Sequence, residues 1–536
     1  MSETLTCGEA LMKLLADYGV DTVFGMPGTH TVELYRGIAH ARMRHVQCRN
    51  EQGASLMADG YARATGKPGV CTIVTGPGVT NASTGIAQAY CDSQPMIVLS
   101  GACATETQGK GWGTVHELND QTAVTAGFTA FSAMVHHPEE IPELIAHAYA
   151  VFNASRPRPV HISLPWDVLP IRGDAAWVTR RSPSLPMPDL AAINEAADLL
   201  ARAMRPLIIV GGGAVGTRKA VSQIAERIGA PVLATNAGKG ILQESHPLSL
   251  GCTILQKPSQ NAIAEADVVL LVGTEIAEGD HFLPKLEVNG DIIRIDIDPT
   301  ELTSMYAAAV AIQADAKAAM LALAAALSER TVANGRADGK AWVRDILARN
   351  AAGMSEDEKQ HARVWRILRS VMPADTIVMG DVSQLVYTGS FALPVEIERC
   401  WYYSGTYCAL GVALPMAIGA KIGAPKRPVM AVAGDGGIMF TIGEMATAVE
   451  EGLALPIIIW NNDALKEIVD QMDRKQMPRI GVEPRNPDFI KLAESFGCHG
   501  VRATGAEHLA EAVRSAFKAD RPTVIEVRQN SSWLLD

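Results

Sequence analysis

The stretch Val429-Met430-Ala431-Val432-Ala433-Gly434-Asp435-Gly436-Gly437 reads as a short apolar strand ending in a glycine-flanked acid. A second apolar strand, Ile457-Ile458-Ile459-Trp460, runs in the same way into Asn461-Asn462. Both polar segments follow the C-terminal ends of strands, the edge at which open α/β sheets bind ligands. Glycines beside Asp435 let the backbone turn sharply and approach a phosphate, and a helix starting near Ile442 can offer its first N–H groups. Asp435 and Asn462 supply hard oxygen ligands, which suit Mg²⁺ held between protein and diphosphate. Taken singly, each half is also ordinary turn chemistry, because Gly-Asp-Gly and Asn-Asn are both frequent in turns.

The same alternation of short apolar strands and longer amphipathic segments runs through the chain. It predicts a helix over Glu9–Tyr18, a strand over Thr22–Gly25, a helix over Val32–His40 and a strand over Val70–Thr75. Such alternation argues for parallel sheets with helices on both faces. Three blocks show it. The first closes with a strand in His161–Asp167, and the proline-rich stretch Pro170–Pro188 reads as a linker. The second runs from the strand Arg205–Gly213 through the strand Ile292–Asp298 to an alanine-rich helix ending near Ser328. A charged segment, Glu329–Lys359, leads to the third block, with strands at Ile377–Met379, Val429–Val432, Ile457–Trp460 and Thr523–Arg528. The expected fold is therefore α/β with three domains, at 1–170, 189–330 and 358–536, each a mostly parallel sheet flanked by helices.

Bulk properties agree. A chain of 536 residues exceeds what one core supports. Hydrophobic residues at 48% against 20% charged mark a compact globular protein. The net charge of −11 comes without any Lys/Arg run, which argues against nucleic-acid or anionic-membrane partners. The N-terminal residues carry Glu3, Glu9 and Asp17 instead of a basic start and apolar block, so no signal peptide is expected. The longest apolar stretches, such as Val268–Val272 and Leu455–Trp460, fall far short of the ~20 residues that span a bilayer. Nine cysteines without CxxC spacing read as buried free thiols in a reducing compartment, and a cytoplasmic protein is expected.

Together, the segments around Asp435 and Asn462 resemble the cofactor motif of thiamine-diphosphate-dependent enzymes, in the group of acetolactate synthases and 2-oxo acid decarboxylases. The interval between them has the family's length, and Glu444 falls at its usual helical acid. The resemblance implies thiamine diphosphate and Mg²⁺ as cofactors, with Asp435, the side chain of Asn462 and the main-chain carbonyl of Ala464 on the metal. Gly434, Gly436, Gly437 and Leu465 would line the cofactor. A second segment, Arg49-Asn50-Glu51-Gln52-Gly53-Ala54 continuing through Met57–Gly66, resembles the cofactor-activating segment of acetolactate synthase and its relatives. There the carboxyl of Glu51 would bond the aminopyrimidine ring and drive deprotonation of the thiazolium carbon, which requires an apolar pocket. By itself Glu51 would read as a surface acid at a helix start.

Gly76-Pro77-Gly78-Val79-Thr80-Asn81 is similar to the family's GPGxTN turn, so Gly76 and Asn81 join the cofactor site. Gln121 falls at an active-site glutamine, and Leu410 at the bulky residue that wedges the cofactor into a bent shape. Pro27, Ser383 and Gln384 complete the implied cofactor shell. The three domains become pyrimidine-binding, central and diphosphate-binding. The family builds each site from two subunits, which implies at least a homodimer and, by extension, a homotetramer.

In the central block, Gly211–Gly216 lacks the spacing and companion acid of a dinucleotide fingerprint and reads as a structural turn. Acetolactate synthases bind FAD in this domain with an Arg-containing strand end. Gly273–Asp280 is acidic here, and like charges repel a diphosphate, so FAD is not expected. The substrate side also departs from the synthases: Glu467, Ile468 and Gln471 stand where they carry Met, Val and Trp. Gly25-Met26-Pro27-Gly28-Thr29-His30 places a histidine where benzaldehyde lyase has one, and His30 is read as exchanging protons or orienting the departing carboxylate. Thr29, His116 and Gln121 join it on the substrate side.

Three further segments, beginning at Pro27, Gly109 and Ala148, resemble the decarboxylases of 5-guanidino-2-oxopentanoate, the 2-oxo acid of arginine. The expected reaction is non-oxidative decarboxylation of that small-molecule 2-oxo acid to 4-guanidinobutanal and CO₂, with Glu467 facing the guanidinium. Two other readings stand beside it: an acetolactate-synthase-like carboligase acting on pyruvate, and a catalytically silent binding or regulatory relative. Intact Glu51, Asp435 and Asn462 argue against silence, and Glu467 with Gln471 argues against the synthase.

Overall fold

The computed structural model describes residues 4–173 and 177–535. Glu3 and positions 174–176 of the linker lie outside the described residues. The described residues build three six-stranded sheets and one two-stranded pair. The N-terminal one runs in the order Arg44–Gln47, Thr22–Gly25, Gly69–Ile73, Met96–Ala102, Val160–Pro165, Phe131–Met134, with every pairing parallel. Its inner strands are buried on both faces; Gly69–Ile73 and Met96–Ala102 read as mostly apolar runs, whereas Val160–Pro165 also buries His161 and Ser163. Thr22–Gly25 has the second strand on one side and the third on the other, so the winding reverses there. The crevice outside Gly25 and Ile73 is a topological switch point, the usual ligand position.

The central sheet has the order Ser249–Gly251, Val232–Ala234, Pro206–Val210, Val268–Val272, Asp291–Asp296, Val310–Gln313, again all parallel. In the last sheet Ile377–Gly380 pairs with Trp401–Tyr403, Val429–Gly434 with Pro456–Asn461, and His499–Arg502 with Thr523–Arg528, each in parallel. A two-residue antiparallel pair, Leu5–Thr6 with Arg172–Gly173, was not foreseen from the pattern.

Packing divides the chain into two compact units. One holds Met1–Ser184, Ala409–Arg502 and Ser515–Val527; the other holds Leu185–Cys408, Ala503–Arg514 and Arg528–Asp536. Within the first, the helix Glu51–Thr65 crosses the helix Ala413–Gly423 at backbone contact. A Cβ on Gly60 would lie 2.0 Å from the Met416 carbonyl oxygen, and one on Gly419 would lie 1.9 Å from that of Met57. No other residue type permits so close an approach.

Several boundaries differ from expectation for identifiable reasons. The first long helix is Cys7–Asp17 instead of Glu9–Tyr18, because Thr6 and Glu9 form a capping box that starts it earlier. Glu329–Lys359 is no mere connector: it holds the helix Gly339–Ala352, whose Val343 and Ile346 are buried against the central sheet. The third domain's expected start at 358 falls inside the helix Glu356–Val371, which a Ser355/Glu358 capping box begins. All nine cysteines are free thiols, seven of them buried. Among the described residues no helix is long and apolar enough to cross a membrane.

Because Gly419 sits against the Met57 carbonyl, Gly419→Ala is expected to destabilise the fold by about 1–3 kcal/mol through forced separation of the two helices. Thermal unfolding reads this. An unchanged midpoint would show that the crossing yields freely.

Candidate active site

The first cluster lies at the C-terminal edge of the N-terminal sheet. Asn50 caps the helix Glu51–Thr65 by accepting from the Gln52 N–H, which makes Glu51 the first helical residue, where the helix dipole favours an acid. Glu51 is only 6% exposed, and its Oε2 accepts a 3.0 Å hydrogen bond from Asn81 Nδ2. Gly78 packs on the same carboxyl, with a Cβ there reaching to 3.1 Å of Oε1. Gly76 has φ +63°, and its missing Cβ would meet the His116 carbonyl oxygen at 2.2 Å. The turn is therefore a glycine position twice over, and it leads Gly78 and Asn81 onto Glu51.

His30 Nδ1 is 2.9 Å from Thr75 Oγ1. Its ring meets His116 edge-on at 5.5 Å and stacks on Trp166 at 6.5 Å. Burial and then the neighbouring His116 hold its pKa below the usual imidazole value, so the ring is neutral near neutral pH. Pro27, Thr29 and His116 are exposed around it. Gln121 is buried and behaves differently from expectation. Its Nε2 donates to Gly101 O at 2.8 Å, Ser100 Oγ at 3.1 Å and Ser163 Oγ, and its Oε1 accepts from Gly76 N–H at 3.3 Å. The amide is thus engaged with protein on both sides and holds the Gly76 turn.

The second cluster follows the strands Val429–Gly434 and Pro456–Asn461. A short helical turn, Asp435–Ile438, starts directly at the acid, ahead of the helix expected near Ile442, which begins as the 3₁₀ turn Ile442–Glu444. Asp435 is 2% exposed and accepts 2.6 Å from Asn486 Nδ2. The N–H groups of Asn462, Asp435 and Gly436 also bond this carboxylate, yet burial raises its pKa. Every partner is neutral, so a buried charge here lacks a counter-charge, and a cation would supply it. Asn461 is buried, donating 2.7 Å to Glu526 and accepting from Asp463 N–H. That leaves Asn462 half-buried at the strand end, its Oδ1 accepting from Ala464 N–H at 3.3 Å. Leu465 fills the place of a side chain on Gly436, 2.7 Å from its missing Cβ. Leu410 is half-buried beside Gly411, whose φ of +83° and contact with Phe440 exclude a Cβ. Among the described residues no three His, Cys, Asp or Glu side chains gather as a metal cage. A cation at Asp435 would therefore need amide, carbonyl and ligand oxygens.

Two functional residues escaped the sequence. Asn486 is one, lying in a loop with no strand to announce it. Glu444 is the other in its role, although its position was noted. It is buried, accepting from Arg49 N–H at 3.0 and 3.2 Å, Asn50 N–H at 3.1 Å and Thr447 Oγ1 at 2.6 Å. The carboxylate thus fixes the segment that starts the Glu51 helix.

On the substrate side, Glu467 opens the helix Lys466–Arg474, and its Oε1 accepts from Gln471 Nε2 at 3.4 Å and Arg474 Nη2 at 3.3 Å. Ile468 is exposed beside it. Ser383 and Gln384 belong to the other compact unit, at the N-terminus of the helix Gln384–Ala392. In that unit, Gly211 and Gly213 pack within a missing Cβ of Gly273, which accounts for the triple glycine as close turn packing.

Family sequence models match along the chain: the N-terminal TPP binding domain of thiamine pyrophosphate enzymes at residues 5–124, their central domain at 193–323 and their C-terminal TPP binding domain at 381–527. A probable 2-ketoarginine decarboxylase of Pseudomonas aeruginosa is 45% identical over 98% of this chain and 94% of its own. A probable acetolactate synthase large subunit of Methanocaldococcus jannaschii is 31% identical over 97% and 91%. The large subunit of acetolactate synthase isozyme 2 of Escherichia coli is 30% identical over 95% and 93%.

Glu51→Gln keeps the shape and removes the exchangeable carboxyl proton. It is expected to leave thermal unfolding and thiamine diphosphate binding nearly intact while lowering turnover at least ~100-fold, the scale of general acid–base catalysis. Near-wild-type turnover would remove Glu51 from the chemistry. Asp435→Ala is expected to weaken Mg²⁺-dependent binding of thiamine diphosphate severely, measured by calorimetry; unchanged affinity would take Asp435 out of the metal site.

Proposed function

We propose that this chain, which belongs to the thiamine pyrophosphate enzyme family and acts as a thiamine-diphosphate-dependent 2-oxo acid decarboxylase, takes 5-guanidino-2-oxopentanoate (2-ketoarginine) and releases 4-guanidinobutanal and CO₂. The observation that carries the substrate is Glu467. Its carboxylate stands on the first turn after the Asn462–Leu465 loop, side chain 42% exposed, and it already receives a guanidinium, that of Arg474. The relative with 45% identity is named for the same substrate. A carboligase acting on pyruvate would gain nothing from an acid at 467 and an amide at 471.

In this reading Asp435, the Asn462 side chain and the Ala464 carbonyl hold Mg²⁺, which gives the buried carboxylate its missing counter-charge. Gly434, Gly436, Gly437 and Leu465 line the diphosphate and Leu410 wedges the cofactor; for Ser383 and Gln384 the family resemblance is the only support. When bound, thiamine diphosphate supplies the electron sink that a 2-oxo acid lacks. Glu51, shielded from water and steadied by Asn81, holds and returns the proton that the aminopyrimidine exchanges. Neutral His30 orients the carboxylate that leaves; its ring can take up a proton, and the imidazolium so formed can give one to the carbonyl carbon. Gln121 keeps the Gly76 wall in place.

The resemblance to this family, which builds each site from two subunits, is what supports a homodimer, or a tetramer of two dimers. Free thiols fit the reducing cytoplasm. No flavin enters the proposal, because Glu275, Glu278 and Asp280 would face its diphosphate.

Contacts to a charged group contribute about 1.5–3 kcal/mol. Glu467→Gln is therefore expected to lower kcat/KM for 5-guanidino-2-oxopentanoate at least ~10-fold, since each 1.4 kcal/mol is tenfold. An uncharged 2-oxo acid of similar length should be little affected. Equal losses on both would indicate damage to the metal loop and sink the substrate assignment.

A further inference from the structure

We propose that His161 is a positioning residue for this site: from inside the sheet it fixes, through Ser100 and Gln121, the turn that carries Gly78 and Asn81 to the Glu51 carboxyl. The proposal rests on the reading of Glu51 as the cofactor-activating group.

The strand Val160–Pro165 is wholly buried, yet two polar residues, His161 and Ser163, share one of its faces. Ser163 lies directly opposite Ser100 in the neighbouring strand. His161 is 0% exposed, with Nε2 2.7 Å from Ser100 Oγ and Nδ1 2.7 Å from Thr125 Oγ1 and 2.9 Å from Ser132 Oγ. Burying so many polar groups destabilises a sheet unless every one finds a partner. Here the partners form a chain with a direction.

The direction follows from backbone groups that have no choice. The Gly101 carbonyl can only accept and the Gly76 N–H can only donate, so the Gln121 carboxamide has Nε2 on the former and Oε1 on the latter. Gln121 Nε2 can only donate, so Ser100 Oγ accepts where the two meet, sharing the two amide protons with Gly101 O and Ser163 Oγ; in the proposed chain Ser100 gives its own proton to His161 Nε2. The imidazole proton is then on Nδ1, donated to Thr125 or Ser132, and Thr125 passes its hydroxyl proton to the Thr122 carbonyl. Burial pushes the His161 pKa down to about 4, so the ring carries one N–H at working pH. The other end of the chain is the Gly76 turn, whose left-handed backbone leads within three residues to Gly78 and within five to Asn81, both on Glu51.

Two substitutions separate the hydrogen bond from the packing. The amide of His161→Gln reaches the place of Nε2 and can accept from Ser100; that of His161→Asn reaches only the place of Nδ1. His161→Gln is expected to keep kcat within about threefold, whereas His161→Asn and Ser100→Ala should each lower it roughly 10-fold or more at little changed KM, as misplacement of a catalytic group does. The double variant Ser100→Ala/His161→Asn should lose no more than the worse single one, since both cut the same chain. Equal kcat loss in His161→Gln and His161→Asn, or losses that follow the melting temperature, would overturn the proposal. The imidazole ¹⁵N resonances of His161, assigned by their disappearance in His161→Gln, read the chain without reference to catalysis. A bare Nε2 and protonated Nδ1 are expected; the opposite tautomer refutes the chain. Activity surviving in Glu51→Gln would instead refute the reading of the site, and leave that spectrum as the test of the chain.

Discussion

The carboxylate of Glu444 holds together the parts on which the rest of the structure depends. It is buried, and it accepts from the main-chain N–H groups of Arg49 and Asn50, the two residues before the Glu51 helix. Those N–H groups lie at the end of a strand-to-helix connection where no sheet or helix partner reaches them. A buried donor left unpaired costs about 1–3 kcal/mol, so the start of the Glu51 helix is tied to the glycine-flanked loop that precedes Glu444. The second tie is steric. Gly60 and Gly419 let the Glu51 helix and the Ala413–Gly423 helix touch backbone to backbone, so the position of one helix determines that of the other.

Around this joint the chemistry is divided by environment. Glu51 is buried with a neutral amide partner. Asp435 has only neutral donors and a raised pKa, so its buried carboxylate lacks a counter-charge. Both stand at C-terminal strand ends, but they belong to different sheets. A cofactor with a proton-exchanging ring at one end and a diphosphate at the other matches that division of labour. Glu467 adds a third environment, a part-exposed carboxylate paired with the Arg474 guanidinium.

Much of this was legible in the residues. A fully buried parallel strand can declare itself as an unbroken apolar run, as Val268–Val272 does, and Thr22–Gly25 and Thr523–Arg528 also fall where expected. Glycine beside an acid after such a strand marks a turn that something approaches closely, and Asp435 is buried in such a turn. Helices under mixed charge were harder. Gly339–Ala352 hides two core residues, Val343 and Ile346, among charges that suggest a connector, and its tertiary neighbours are what make it a helix. The Ser355/Glu358 capping box was in the sequence as a signal of the next helix start.

The sequence by itself determined the sheet type and the family, because these depend on local order: which residue follows which strand. It could not decide what each polar group faces. That Asn461 bonds Glu526 while Asn462 stays at the strand end, and that Asn486 reaches Asp435 across 51 positions, are facts of long-range packing. The same holds for Gln121, which resembles a substrate contact by position yet has its amide claimed by Gly101, Ser100 and Gly76. Hydrogen-bond direction is set by which backbone groups can only donate or only accept, and those groups are brought to the side chain only when the strands pair.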